Sequence, residues 1–119
     1  MCIRDSCEGH WGDSREAHVP AILEMLRVPY TGSGVLTLAL ALDKPMTKRV
    51  LSHHGLSTPT FQTFERLNEP LDADMRFPLF VKPSREGTGM GVTAESIVHE
   101  ERQLRAQLRR QFDIYDQPI

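Results

Sequence analysis

Three stretches of the chain repeat their apolar residues with helical spacing. Between Asp13 and Leu26, Val19, Ile22, Leu23 and Leu26 recur at i, i+3, i+4 and i+7, and Asp13 and Glu16 have capping-box spacing. Pro20 conflicts with a helix that begins at Ser14, because its ring and missing N–H are tolerated only in a first turn. The helix therefore starts near His18 or bends there, and Pro29 stops it. Val28–Thr31 reads as a short extended piece and Leu36–Leu42 as a buried helical turn or two. A second helix spans Lys44–His54. Asp43 is its cap, Pro45 sits in its first turn, Gly55 marks its stop, and Met46, Val50 and Leu51 form its inner stripe. A third spans His99–Phe112, with Leu104, Leu108 and Phe112 inward and Arg102, Arg105, Arg109 and Arg110 forming a solvated basic face.

Between the second and third helices the pattern changes to strands. Thr58–Phe64 is a strand candidate, and Glu65–Arg76 is a polar connection with room for one helical turn. Phe77–Pro83 is apolar, β-rich and bounded by prolines, the strongest strand signal in the chain. Arg85–Gly91 is a glycine-rich loop and Val92–Val98 a second strand. Gln117-Pro118-Ile119 reads as the start of another strand, with an exposed, unpaired edge that invites aggregation.

A length of 119 residues allows one domain or two small lobes. Fourteen Lys+Arg against 16 Asp+Glu leave a net charge of −2, without the basic field of a general nucleic-acid binder. No apolar run approaches the ~20 residues needed to span a bilayer. Cys2 and Cys7 are too few for a disulfide framework or a zinc site, so a reducing cytosol is the expected compartment. The opening Met1-Cys2-Ile3-Arg4-Asp5-Ser6 resembles a translated sequencing adapter. Residues 1–7 are accordingly expected to be non-native or disordered and are set aside.

Candidate chemistry concentrates in Phe80-Val81-Lys82-Pro83-Ser84-Arg85-Glu86-Gly87-Thr88-Gly89-Met90-Gly91. Glycines at alternate positions let backbone approach a ligand and gather N–H groups into one concavity, which suits phosphate oxygens. A strand pattern follows the loop, so it is neither a Rossmann fingerprint nor a Walker loop, and the geometry is that of a flap over phosphates. Period-2 alternation puts Phe80 and Lys82 on one face and Val81 on the other, an apolar wall beside a cation. The spacing leaves open a plain glycine-rich hairpin with an exposed lysine. Lys44 starts a helix, where the dipole favours an anion, so either a phosphate partners it or it is a solvated surface lysine. His53-His54 ends a helix and adjacent positions do not share a face, so no metal site is assigned to them.

Four segments in order carry a resemblance: Pro29-Tyr30-Thr31-Gly32-Ser33-Gly34, Leu42-Asp43-Lys44 with Thr47-Lys48, Gly55-Leu56-Ser57-Thr58-Pro59, and Phe77–Gly91. Together they resemble the D-alanine–D-alanine ligase family of the ATP-grasp superfamily, over Glu8–Ile119. The resemblance implies an α/β (α+β) fold. Residues 8–57 would be the end of a pre-grasp domain with connecting helices, and residues 58–119 the small ATP-binding subdomain, truncated at its C-terminus. It implies an ATP-dependent carboxylate–amine ligase that joins two amino acids such as D-alanine through an acyl phosphate, in cytoplasmic peptidoglycan precursor synthesis for the cell wall. Lys44 and Lys82 would contact ATP phosphates, Phe80 would line the adenine pocket, and Glu86, Gly87, Thr88, Gly89, Met90 and Gly91 would form the covering loop. Mg2+ ligands and catalytic groups are expected outside residues 1–119, leaving this segment inactive alone, and the parent is expected to be a homodimer. Where the family loop carries two serines this chain has Thr88 and Gly89, keeping one hydroxyl and losing the other. Arg15–Pro20 replaces the family's acidic, glycine-containing helix start. The alternatives are an ATP-grasp amino-acid ligase of other specificity and a non-catalytic nucleotide-binding module.

Overall fold

Pro20 decides how the first helix begins. In the computed structural model, which describes residues 9–119 and the backbone of Ile3–Arg4, residues Arg15–Ala17 form a 3-10 turn and the α-helix starts only at His18. Pro20 then lies within the first turn, where its missing N–H has no partner to lose. Ser14, which precedes that turn, makes no side-chain cap, and Glu16 accepts the Gly9 N–H at 3.3 Å. Both cysteines and the expected non-native stretch, apart from Ile3–Arg4, lie outside the described residues.

The chain divides into two compact units, Met1–Val50 and Leu51–Ile119. In the first, β1 (Ile3–Arg4) is followed by α1 (His18–Met25), and β2 (Tyr30–Thr31) pairs in parallel with β1, Ile3 opposite Tyr30. Then come α2 (Val35–Leu42), packed on the 3-10 turn and α1, and α3 (Lys44–His53), whose last three residues are counted in the second unit. Ala17, Pro20, Leu23 and Leu42 are buried. Ile22, Leu26, Leu36 and Met46 are exposed, Leu36 by 80%, so the expected inner positions of α1, α2 and α3 are corrected there. An apolar stripe fixes which face of a helix is greasy; only a neighbouring element can cover it.

Both ends of α3 follow the sequence signals. The Asp43 carboxylate accepts the Met46 N–H at 2.9 Å, and the Thr47 hydroxyl donates to the Leu40 and Asp43 carbonyls. At the other end Gly55 adopts φ +69°, and the bonds from Leu56 N to Leu51 O and from Gly55 N to Ser52 O close a Schellman motif.

The second unit is built around one antiparallel pair, β3 (Leu79–Phe80) and β4 (Ile97–Val98), with Leu79 opposite Val98 and Phe80 opposite Ile97. Both expected strands are shorter than their sequence patterns. Pro78 and Pro83 lack the N–H a ladder needs, and Ala94–Ser96 winds into a 3-10 turn before β4. The Val81 N–H still reaches the Ser96 carbonyl at 2.8 Å, extending the pairing by one step. Within that turn the Glu95 carboxyl is held below the ordinary carboxylate range by the Thr93 hydroxyl, its own backbone amide and the Arg110 guanidinium 3.9 Å away. Because its folded pKa is depressed, the stability this adds is present above the unfolded carboxylate range and lost as pH falls through the folded value.

Helix α4 (Glu101–Ile114) lays Leu104 and Leu108 on the inner face of this pair, completing a core with Phe64, Val81, Val98 and Ile119. Thr58–Phe64 is not a strand. Phe64 exchanges both backbone bonds with Ile119 at 2.8 and 3.0 Å, while Gln62 uses its side chain to hold the Pro70 carbonyl and the Asp72 N–H. The C-terminal residues are correspondingly not an unpaired edge. Ile119 is buried against Phe64 and the Pro118 carbonyl accepts the Ser84 N–H at 3.0 Å. Arg105 also leaves the expected solvated face. It donates to the Leu67 and Glu69 carbonyls and to Glu101, with its guanidinium 5.8 Å from the Phe64 ring centroid. Among the described residues no helix is long and apolar enough to cross a membrane.

Two expectations follow for the full-length protein. Leu108→Ala empties a fully buried position and should cost about 2–5 kcal/mol in denaturant unfolding. Gly55→Ala meets open space, so its cost of about 1–2 kcal/mol comes from the left-handed backbone alone, and Gly55→Asn should recover part of it.

Candidate functional site

The hairpin has one buried and one open face, and the alternation read from Phe80-Val81-Lys82 is the one adopted. Val81 is 6% exposed and belongs to the core, while Phe80 is 53% exposed and Lys82 is exposed beside it. The Lys82 Nζ lies 5.9 Å from the Phe80 ring centroid. Ile97, opposite Phe80 and half-exposed, extends the apolar surface across the strand pair. The open face therefore offers a flat apolar platform with one ammonium at its end.

The glycine-rich loop leaves β3 through buried Pro83 and Ser84 and is folded by two backbone bonds, Met90 N to Gly87 O and Val92 N to Gly89 O. Thr88 takes φ +49°, left-handed and costly for a β-branched residue, next to Gly89 at +78°. At the far end Gly91 passes so close to its neighbours that a Cβ would lie 2.6 Å from Pro83 Cγ and 3.1 Å from Gln111 Oε1. Gln111 Nε2 donates to the Gly91 carbonyl at 2.6 Å. At the near end Gln117 Oε1 accepts the Arg85 N–H at 2.6 Å, and its Nε2 donates to Glu86 at 2.7 Å.

The second unit thus brings together Phe80, Lys82, Glu86, Gly87, Thr88, Gly89, Met90 and Gly91 on one hairpin. Lys44 belongs to the first unit, where it opens α3 in the turn capped by Asp43. Sequence reasoning missed Gln111, Gln117 and Ile97. A signal for Gln111 was present: Leu104, Gln107, Leu108 and Gln111 share helical spacing, so two amides occupy inward positions. Gln117 carries no such pattern, because its partners lie 31 and 32 residues away. Among the described residues no three His, Cys, Asp or Glu side chains converge on a metal position, so none is assigned to Mg2+.

The crowding at Gly91 makes its replacement severe. Gly91→Ala combines a φ of +76° with a clash against a buried proline ring, and should destabilise the full-length protein well beyond the Gly55→Ala change, by about 3 kcal/mol or more in the same unfolding measurement.

No family model matches the chain. Curated relatives do. The D-alanine–D-alanine ligase of Syntrophotalea carbinolica is 42% identical over 104 residues, covering 87% of this chain and 32% of that protein. The D-alanine–D-alanine ligase of Pelotomaculum thermopropionicum is 39% identical over 118 residues, covering 91% of this chain and 35% of that protein. The chain spans about one third of the length of these relatives. Among solved structures, the D-alanine–D-alanine ligase of Bacillus anthracis complexed with ATP superposes with a TM-score of 0.75 at 29% identity, over 98% of this chain and 38% of that one. The VanG D-Ala:D-Ser ligase of Enterococcus faecalis gives 0.77 at 29% identity, over 98% and 34%. By sequence and by fold, the chain belongs to the D-alanine–D-alanine ligase family and forms part of an ATP-grasp ligase fold.

Proposed function

We propose that the full-length protein carrying this segment is an ATP-dependent D-alanine–D-alanine ligase of cytoplasmic peptidoglycan precursor synthesis, and that residues 77–92 hold the nucleotide. The observation that carries the reading is the open hairpin face, with Phe80 and Ile97 as platform and Lys82 at its edge, in a chain 39–47% identical to enzymes of that name.

In the proposed reaction a carboxylate oxygen of the first D-alanine attacks the γ-phosphorus of ATP. The new O–P bond forms as the bond to the ADP oxygen breaks. The amine of the second D-alanine then attacks the acyl carbon, inorganic phosphate leaves, and the peptide bond is made. The segment's share is electrostatic and geometric. The adenine stacks on the apolar platform, and Lys82 neutralises charge on the phosphates. Loop N–H groups over the same oxygens add donors that gain strength as charge spreads in transfer, and the folded loop excludes water. Lys44 is proposed as a second phosphate contact, its position at a helix N-terminus suiting an anion. No step is assigned to a metal on these residues.

Replacing Lys82 is the direct test. Lys82→Ala in the full-length protein should raise the ATP KM and lower kcat/KM for ATP by about 10- to 100-fold, as loss of a charged contact does, in an ADP-release assay with D-alanine. Unchanged ATP kinetics would remove Lys82 from the phosphate site. Nucleotide binding without ADP release for any amino-acid pair would favour a binding module.

A further inference from the structure

We infer that Gln111 and Gln117 are positioning residues that pin the two ends of the glycine-rich loop and confine its motion to Gly87–Met90. Gln111 is 2% exposed and lies on the inward stripe of α4, where an apolar residue would otherwise be expected. Burying an amide is costly unless it bonds, and this one spends its donor on the Gly91 carbonyl. Its Oε1 and the Nε2 of Gln107, one turn earlier, are buried with no hydrogen-bond partner among the described residues. Gln117 holds the near end with both halves of its amide: its oxygen accepts the Arg85 N–H while its nitrogen donates to the Glu86 carboxylate.

Between these anchors stand the two turn bonds and the left-handed Thr88. Strain at such a residue persists where its surroundings over-determine it, and the two glutamines supply that constraint. Both are also tied to the core. Gln111 is one residue from Phe112, which packs against the apolar cluster, and Gln117 is two residues from buried Ile119. The two ends of the loop are therefore fastened through side-chain amides to α4 and to the C-terminal residues. That this fastening serves ATP rests on the function proposed above.

Amide hydrogen exchange on the full-length protein, with Gln111→Met and Gln117→Met, separates the two ideas. Methionine keeps the length and volume of glutamine and removes its hydrogen bonds. Amides in 85–92 should exchange about three- to tenfold faster, as loss of one net hydrogen bond implies, with the Leu104–Leu108 amides unchanged. The ATP KM should rise while the D-alanine KM stays at its wild-type value. A double variant, Gln117→Glu with Glu86→Gln, re-forms the bridge with its donor and acceptor exchanged and should restore slow exchange at Arg85. Unaltered loop exchange in both methionine variants would overturn the inference, as would acceleration spread equally through α4. So would a loosened loop with an unchanged ATP KM in a protein whose Lys82→Ala variant does lose ATP affinity. If Lys82→Ala itself leaves ATP kinetics intact, the nucleotide reading has failed, and loop exchange alone then decides whether the glutamines pin the loop.

Discussion

Everything the second unit offers depends on α4 covering one face of a very small sheet. A pair of two-residue strands is not stable in water on its own, and here it is held because Val81 and Val98 meet Leu104 and Leu108 on the inside. Burial of that face is what permits the other to stay open. Phe80 and Ile97 remain at the surface because their neighbours in sequence, not they themselves, supply the hydrophobic free energy. A single register thus sets both core and platform, and a slip of one residue would send Phe80 and Lys82 inward and expose Val81.

What could be read from the sequence was whatever is decided within a few residues. Asp43 and Gly55 delimit α3 because a cap and a left-handed stop are local chemistry. Phe80 and Lys82 share a face because strand geometry allows nothing else. Strand length was harder, since a strand exists only as far as its partner does. Thr58–Thr63 has strand-like residues and no ladder, and Gln62 takes up the task of organising the 70–72 turn. Ile119 looked like a loose end because its partner, Phe64, lies 55 positions earlier in the chain, and Arg105 looked solvated because the carbonyls it binds lie 36 and 38 residues away.

The candidate site divides the same way. Its hairpin residues were legible as a motif, whereas the amides bonded to the two ends of the loop were not. Gln111 came nearest, as a polar residue in an apolar stripe, and such misfits mark places where burial serves something other than cohesion. In the first unit the misfit is of the opposite kind: Ile22, Met25, Leu26 and Leu36 show apolar side chains to solvent, so helical periodicity there reports a face and not a contact.

The way Arg105 is fastened has a consequence for ionic strength. Two of its three hydrogen bonds go to backbone carbonyls, which carry no net charge for dissolved ions to screen, and its guanidinium also rests near the Phe64 ring. The Arg110–Glu95 pair, half in solvent at 3.9 Å, has only a screened Coulomb attraction to offer. In concentrated electrolyte the turn before β4 loses its charged tether, while the segment from Phe64 to Glu69 stays bound to α4.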